Sequence, residues 1–152
     1  MVENWSGLLQ LSIYAPVSRN VVSFLQEWTP CGVCEIGAGD GTWLAAFNQG
    51  GIDAIGYDIE PRGGDVRKGD HSSISVHNEM AMLVVWPPDG FVIQQWIRAY
   101  RGDTVIICGD FRRFYVGVSL SDFAEQASTQ IKGGRKPLST LAVYKRWRGP
   151  SF

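Results

Sequence analysis

Apolar residues alternate with turn-forming residues along the first half of the chain, and the alternation predicts a regular order of elements. Apolar side chains recur at helical spacing over residues 17–28, and a short apolar run at 33–36 has the length of a buried strand. The glycine-rich segment 37–41 follows, then a helical pattern over 42–48 and a second strand over 52–58. Strand, turn, helix and strand in this order form a βαβ unit, which implies a parallel sheet.

The second half of the chain predicts further strands and helices. Residues 59–79 are polar and turn-rich, so they accommodate at most one short strand, near 65–68. Beyond them the pattern predicts a buried strand at 80–86, a helix at 91–100, a strand at 104–108, a helix from Ser121 or Asp122 to about Thr129, and a last strand at 139–147.

These elements predict a three-layer α/β/α, Rossmann-like fold with a doubly wound, mostly parallel sheet and an antiparallel C-terminal strand. A length of 152 residues is ordinary for one domain, and 45% hydrophobic with 19% charged residues is typical of a globular chain. We expect residues 1–152 to form a single domain with a helical lead-in at 1–30. A cofactor-binding core would span 31–110, and a helix and strand pair would fill 111–152.

Composition argues against membrane and disulfide-rich classes. No stretch approaches the roughly 20 apolar residues that a membrane span needs. Glu3 and Trp5 stand where a signal peptide carries basic residues, and three cysteines are an odd and sparse set. Cys31 and Cys34 have redox spacing, but no second pair completes a zinc site, so we expect no metal. The prediction is a cytoplasmic protein without a membrane partner.

Charge is distributed unevenly along the chain. Residues 1–97 sum to −7 and residues 98–152 to +6, which together give the net charge of −1. A cationic C-terminal third can attract a phosphate-bearing partner such as nucleic acid. A solvated basic surface with no such partner is the alternative.

The glycine-rich turn carries the strongest chemical signal. Gly37, Gly39 and Gly41 let the backbone turn sharply and approach a ligand closely, at the start of a helix that favours anionic groups. Asp58 ends the next strand, where a carboxylate reaches the two hydroxyls of a ribose. The spacing is G-x-G-x-G rather than the dinucleotide pattern G-x-G-x-x-G, and Glu35 precedes it. That carboxylate suits a ligand with an amino group, such as S-adenosylmethionine (SAM), better than a pyrophosphate.

Four segments in this order resemble the class I SAM-dependent methyltransferases. Glu35-Ile-Gly-Ala-Gly-Asp-Gly41 resembles the first motif of that family, Gly56-Tyr57-Asp58 the second and Gly69-Asp70-His71 the third. Residues 82–88 fall where the fourth motif ends the fourth strand, and Tyr14-Ala15-Pro16 resembles the lead-in of the fold. The chain is similar to a minimal and divergent member of this family.

The resemblance implies SAM as the cofactor and S-adenosylhomocysteine (SAH) as its product. It implies that Glu35 and the turn hold the methionine end, that Asp58 binds the ribose, and that Ile59 packs on the adenine. Asp70 and His71 would bind the adenine, and Trp86 would line the site near the methyl group. The implied cofactor-binding residues are Glu35, Gly37, Ala38, Gly39, Asp40, Gly41, Asp58, Ile59, Asp70, His71 and Trp86.

The acceptor side departs from the family pattern. Methyltransferases that act on amino groups often read Asn/Asp/Ser-Pro-Pro-aromatic here, whereas residues 86–89 read Trp-Pro-Pro-Asp. The two prolines are kept, but the polar and aromatic positions are not, which disfavours transfer to a flipped adenine or a glutamine amide. The expected acceptor-binding residues are Pro87, Pro88, Asp110 and Arg112, and the expected catalytic residues are Asp89 and Tyr14. Asp89 is alternatively a cap of the following helix.

The sequence therefore predicts a SAM-dependent methyltransferase with a small-molecule acceptor. Three alternatives stay open: a nucleic-acid methyltransferase that uses the basic C-terminal third, a SAM-binding protein without catalysis, and an NAD-binding oxidoreductase. The methyltransferase fold nearly fills 152 residues, so we expect no acceptor-binding cap. The acceptor is expected to be small and held by short loops, or large and docked on an open face. Whether the protein is a monomer or a homo-oligomer is left undecided.

Overall fold

Seven strands, three helices and one 3-10 helix make up the described part of the chain. The computed structural model describes residues 17–87, 90–110, 120, 122–133 and 138–147. The helices are α1 (Arg19–Gln26), α2 (Thr42–Gln49) and α3 (Gly90–Ala99), with a 3-10 helix at His71–Val76. The strands are β1 (Val33–Ile36), β2 (Ala54–Asp58), β3 (Arg67–Lys68), β4 (Ala81–Val85), β5 (Thr104–Gly109), β6 (Phe123–Lys132) and β7 (Leu138–Arg146).

The strands form one sheet in the order β3-β2-β1-β4-β5-β7-β6. Strands β1 to β5 run parallel, and β7 pairs antiparallel with both β5 and β6. Chain order therefore reverses at β1, which lies between β2 and β4. In open α/β sheets, ligands bind outside the carboxyl ends of the strands at such a switch point. The predicted doubly wound, mostly parallel sheet with an antiparallel C-terminal strand is confirmed.

Large side chains fill the core on both faces of the sheet. On one face, Leu25 of α1 and Phe47 of α2 are fully buried, as is Ile106 of β5. On the other face, Ile74 of the 3-10 helix and Ile93 of α3 are fully buried. Removing each such side chain from water contributes about 1.5–3 kcal/mol to the free energy of folding. Helices on both faces of one sheet confirm the predicted three layers.

The helix predicted from Ser121 or Asp122 to about Thr129 is wrong, because these positions belong largely to strand β6. Phe123 packs in the core on one face of the sheet, whereas Ile131 packs in the core on the other. A β-bulge between Glu125 and Ala127 shifts the register against β7 and reverses the faces. The bulge hides the alternation that marks a strand, and the hydrogen bonds to β7 outweigh a local helical preference.

Other boundaries differ from expectation by a few residues. The helix expected at 17–28 is α1, which is shorter at both ends, and the short strand expected near 65–68 is β3. Within the polar stretch 59–79 the structure adds the 3-10 helix, which the sequence did not predict. The lead-in at 14–16 lies outside the described residues. Among the residues that the structure describes, no helix is both long and apolar enough to cross a membrane.

Candidate functional site

The glycine turn lies at the carboxyl end of β1 and is tied to the end of β2. Gly37, Gly39 and Gly41 have φ values of +79°, +59° and +81°, a region in which side chains other than glycine are strained. The backbone N–H groups of Gly37 and Ala38 both donate to the carbonyl of Tyr57, at 2.8 and 3.0 Å. The turn is therefore held in place by β2 before any ligand arrives.

Asp58 projects from the carboxyl end of β2 onto this turn. Its Oδ2 accepts a hydrogen bond from the backbone N–H of Gly39 at 2.8 Å, and its Oδ1 accepts one from Glu60 at 2.9 Å. A carboxylate offers about four acceptor positions, so these two bonds orient the group and leave capacity for two more donors. The arrangement can accept the two hydroxyl groups of a ribose.

Glu35 is buried directly before the turn. Its residue is 3% exposed, and its buried Oε1 has no hydrogen-bond partner among the described residues. Burial raises the pKa of this carboxyl group well above its usual value, and the neighbouring carboxylates of Asp40 and then Asp58 raise it further. A positive group placed beside this carboxyl group would favour its charged form again.

Asp40 has a structural contact within the turn. Its Oδ1 accepts hydrogen bonds from the backbone N–H and the hydroxyl of Thr42, at 3.0 and 2.6 Å. These bonds cap the start of α2, where a carboxylate is favourable because the first N–H groups of a helix lack partners. Asp40 therefore fixes the helix start and adds negative charge beside Glu35.

Residues 61–66, which we call the covering segment, fold back over the glycine turn. The backbone N–H of Arg62 donates to the carbonyl of Gly39 at 3.0 Å. A Cβ atom at Gly39 would lie 3.3 Å from Nη2 of Arg62, and one at Gly41 would lie 3.1 Å from Cγ2 of Val66. Sequence reasoning missed this contact. Consecutive glycines at 63 and 64, with φ of +153° and +60°, were its local signal.

Ile59 follows Asp58 and is an exposed apolar side chain. It is 68% exposed, which is uncommon for isoleucine, and it adjoins the carboxylate that faces the glycine turn. An exposed apolar surface at this point can pack against a flat ring such as adenine.

Asp70 and His71 lie at the same edge of the sheet as Asp58, because the backbone N–H of Gly69 donates to the carbonyl of Asp58 at 3.1 Å. Asp70 caps the 3-10 helix by accepting a hydrogen bond from the backbone N–H of Ser72 at 2.9 Å. Hydrogen bonds from the side chain and then the backbone of Ser72 lower the pKa of Asp70, which keeps it ionised. His71 is half-buried at the start of the 3-10 helix.

Trp86 directly follows β4 and has a strained backbone conformation with φ of +46°. Its indole Nε1 donates to Oγ of Ser139 on β7 at 2.7 Å, and its backbone N–H donates to the carbonyl of Cys108 at 2.7 Å. A side chain other than glycine in this region is costly and is found preferentially at functional sites. Ser139, which is 1% exposed, was missed by sequence reasoning because it is 53 residues from Trp86.

The acceptor side of the site is described only in part. Tyr14, Pro88, Asp89 and Arg112 lie outside the described residues. Pro87 is buried after Trp86, and Asp110 is half-buried directly after β5. Trp96 of α3 contributes a further side chain, since a Cβ atom at Gly37 would lie 3.4 Å from its ring.

The structure gives the three cysteines no redox or metal-binding arrangement among the described residues. All three are free: Cys31 is exposed, whereas Cys34 and Cys108 are buried. Burial is the main cause that raises the pKa of Cys34 to about 12, so its thiol is not ionised at neutral pH. Within the described ranges no group of three His, Cys, Asp or Glu side chains is placed to hold a metal ion.

Two positively charged side chains of the basic C-terminal third make hydrogen bonds within the fold. Arg146 donates to the carbonyls of Gly102 and Tyr100, both at 2.9 Å, and lies over the ring of Phe123 at 4.6 Å. Lys145 Nζ donates to the hydroxyl of Thr104 at 2.6 Å. These contacts join β7 to the start of β5 and account for part of the positive charge.

No family model matches the chain, and no curated protein matches it in sequence. Solved structures do match in fold. The N-methyltransferase NodS from Bradyrhizobium japonicum WM9, in complex with SAH, superposes with a TM-score of 0.59 at 12% identity, over 86% of this chain and 86% of that one. Magnesium protoporphyrin IX methyltransferase (ChlM) from Synechocystis PCC 6803, with bound SAM, gives 0.56 at 14% identity, over 84% and 77%.

TrmN from Thermus thermophilus is a longer protein with the same kind of core. It superposes with a TM-score of 0.53 at 11% identity, over 86% of this chain and 49% of TrmN, so the chain spans about half of that length. At such identities the likeness concerns the fold. The chain has the fold of the class I methyltransferases, as the order of its motifs implied.

Proposed function

We propose that this protein binds SAM and transfers its methyl group to a small-molecule acceptor. The observation that carries the proposal is the buried carboxyl oxygen of Glu35 beside the glycine turn, which no described residue pairs. Because that oxygen needs a donor, the ligand that fits is one bearing a positive amino group. The methionine end of SAM carries such a group.

The sign of the local charge favours SAM over a dinucleotide. Glu35, Asp40 and Asp58 interact electrostatically at the ends of β1 and β2. A pyrophosphate would bring two negative charges to these carboxyl groups, and like charges repel strongly in a partly buried site. SAM brings an ammonium and a sulfonium, which these groups attract. The NAD-binding alternative is therefore the weaker one.

Asp58, Ile59, Asp70 and His71 are the residues proposed to hold the adenosine part. Asp58 has free acceptor capacity for the ribose hydroxyls, and Ile59 offers an exposed apolar surface beside it. Asp70 and His71 lie at the same edge of the sheet and are the proposed partners of the adenine amino group and ring. Structures of the same fold with SAM or SAH bound, ChlM and NodS, support the choice of ligand.

SAM supplies a methyl group on an activated sulfur, so the protein's task is mainly to position the acceptor in line with it. We propose that Trp86, Pro87 and Pro88 wall the acceptor site at the end of β4. Asp110 and Arg112 would bind the acceptor, and Asp89 and Tyr14 would orient it or take its proton. The strained backbone of Trp86 supports a functional role for this corner.

Binding is tested by titrating SAM, SAH and NAD into the protein and into Asp58→Asn by calorimetry. The amide keeps the size of Asp58 but weakens two charge-assisted hydrogen bonds to ribose, so affinity for SAH should fall roughly 10–100-fold. The matched control is Asp53→Asn. Asp53 is exposed and directly precedes β2, at the opposite end of that strand from Asp58, so this variant should bind normally.

Failure of the unchanged protein to bind SAM and SAH, or tighter binding of NAD, would refute the proposed cofactor. If SAM binds but no acceptor yields SAH, the protein is a SAM-binding protein without catalysis. Acceptors of small size are tested first, because Lys145 and Arg146 are held by contacts within the fold and no described feature specifically favours nucleic acid.

A further inference from the structure

Trp96 brings an aromatic ring to the first glycine of the turn. A Cβ atom at Gly37 would lie 3.4 Å from Cη2 and 3.8 Å from Cζ3 of this ring, so the indole stands beside the backbone that follows β1. The core under α3 is filled by Ile93 and Ile97, whereas Trp96 packs against that core and is only half-buried. Its ring therefore keeps an open surface at the edge of the sheet where ligands bind.

Trp86 brings a second indole to the end of the neighbouring strand β4, and distant contacts fix its place. Its side chain is half-buried, and its Nε1 donates to the hydroxyl of the buried Ser139 at 2.7 Å. Its backbone N–H donates to the carbonyl of Cys108 at 2.7 Å, and its φ of +46° is strained. A ring held in this way is in position before an acceptor arrives.

The register of the strands places both rings around one small region. Continuing the pairing of β1 with β4 puts Gly37 level with Val85, which lies opposite Cys108 of β5. Trp86 and Asp110 follow this level by one and two residues. Neighbouring strands are about 5 Å apart, so the ends of β1, β4 and β5 span roughly 10 Å. One small molecule can reach all three strand ends.

The described carboxyl groups at this edge of the sheet give it a negative charge. Asp110 is half-buried directly after β5, and the carboxylates of Asp40 and Asp58 act on Glu35 at the ends of β1 and β2. Arg62 of the covering segment offsets only one of these charges. Carboxylates and the faces of indole rings both attract cations, and the rings favour a cation over a neutral group of equal size.

We propose that the methyl acceptor is an organic amine whose nitrogen lies between the indoles of Trp96 and Trp86, beside Asp110. This inference rests on the proposed function and names the substrate class of the same site. In the transfer, the lone pair of the neutral amine bonds to the methyl carbon while the bond from that carbon to sulfur breaks and leaves its electron pair on sulfur. A proton that the amine carries in solution passes to the solvent before this step. The positive charge thus moves from the sulfonium to the methylated nitrogen.

An amine suits this arrangement better than an alcohol or a carboxylic acid. A neutral amine attacks with its own lone pair, whereas an alcohol must also lose a proton in the step, which calls for a general base. A carboxylate acceptor would bring a second negative charge to Asp110, and like charges repel. The methylated amine, in contrast, carries a positive charge that the two indole faces and Asp110 stabilise.

The binding test uses the protein saturated with SAH, so that the cofactor site is filled, and titrates choline and its neutral carbon analogue 3,3-dimethylbutanol. The two probes have the same shape and differ in the charge of one atom. We expect choline to bind at least about tenfold more tightly. Equal affinity, or binding of neither probe, would overturn the inference.

Variants of Trp96 show whether its ring provides this selectivity. Trp96→Leu should bring the ratio of the two affinities close to one, whereas Trp96→Phe keeps an aromatic face and should retain most of the ratio. A purely structural effect would weaken both probes alike and leave the ratio unchanged, which would overturn the role of Trp96. Trp147→Leu is the matched control, because Trp147 is exposed after β7, at the opposite edge of the sheet. If Trp96→Leu does not fold, Trp96→Phe and the two probes on the unchanged protein still decide.

Methyl transfer is tested with phenethylamine, phenylethanol and phenylpropanoate, which share a ring and differ in the reacting group. We expect SAH release with the amine to be at least about tenfold faster than with the other two. Faster transfer to the alcohol or the acid would overturn the inference and leave the proposed methyltransferase intact. If none of the three is methylated, the choline ratio decides. Failure of the unchanged protein to bind SAM and SAH would refute the proposed function, and this inference with it.

Discussion

The glycine turn and the β7 region differ in how their polar side chains are satisfied. Beside the turn, Glu35 keeps a buried oxygen without a partner among the described residues, and Asp58 keeps unused acceptor capacity. Around β7, the hydroxyl of Ser139 accepts a hydrogen bond from the indole of Trp86. Lys145 donates to the hydroxyl of Thr104, and Arg146 donates to two backbone carbonyls just before β5. Polar groups paired within the chain have a structural role, whereas the oxygen of Glu35 at the end of β1 is available to a ligand.

This contrast predicts that changes around β7 alter stability without altering ligand affinity. Arg146→Ala should have the largest effect, lowering the free energy of unfolding by about 2–4 kcal/mol, because two backbone carbonyls lose a charged donor. SAH affinity should stay within twofold (on the order of 0.4 kcal/mol). Urea denaturation and calorimetry measure the two quantities. Lys132→Ala, exposed at the end of β6, is the control and should change stability by less than about 0.5 kcal/mol. Loss of SAH binding at unchanged stability would break the contrast.

Ser139→Ala should have a smaller effect of the same kind. The indole N–H of Trp86 loses its 2.7 Å acceptor, which lowers the free energy of unfolding by about 1–3 kcal/mol. Because Trp86 is proposed to wall the acceptor site rather than to hold the adenosine, SAH affinity should change little. Ser128→Ala, at an exposed position of β6, controls for the loss of a serine hydroxyl. Thermal unfolding is the readout, and a variant as stable as the control would contradict a structural role for Ser139.

The smallest effect, taken per pH unit, is expected in the pH dependence of the free protein's stability. A group whose pKa is raised on folding stabilises the folded state below its unfolded pKa, and this contribution is lost as pH rises through the folded pKa. The stability of the unchanged protein relative to Glu35→Gln should therefore fall above roughly pH 4.5, by at most about 1.4 kcal/mol per pH unit. Urea denaturation between pH 5 and 8 measures this difference. A difference that grows with pH would contradict a protonated Glu35, and Glu125→Gln should show no trend.

Most of the central sheet follows from local sequence. Strands β1, β4 and β5 are almost entirely buried and, apart from Glu35 and Thr104, are apolar runs, so their positions can be predicted without tertiary information. The glycine turn can also be predicted from the sequence, because each of its glycines occupies a backbone region that favours glycine. Asp58 could be placed beside them since parallel strands bring their carboxyl ends to one edge.

Contacts between distant segments could not be predicted. Arg62 meets Gly39 because the covering segment folds back, and the glycines at 63 and 64 indicate a turn there but not the residue it meets. Ser139 meets Trp86 across the sheet, and that contact leaves no local pattern. The prediction of a helix in place of β6 was wrong for a different reason, because the bulge puts Phe123 and Ile131 on opposite faces of the sheet. The unpaired oxygen of Glu35 is likewise a property of packing that no motif encodes.

The bulge in β6 also limits how much of one edge of the sheet is open to pairing. β6 is an outer strand of the sheet and is ten residues long, so a regular β6 would present a long row of backbone groups to any other strand. The register shift between Glu125 and Ala127 interrupts that row and twists the strand locally. A further strand can therefore pair in register with only part of this edge, which protects the sheet against edge-to-edge aggregation.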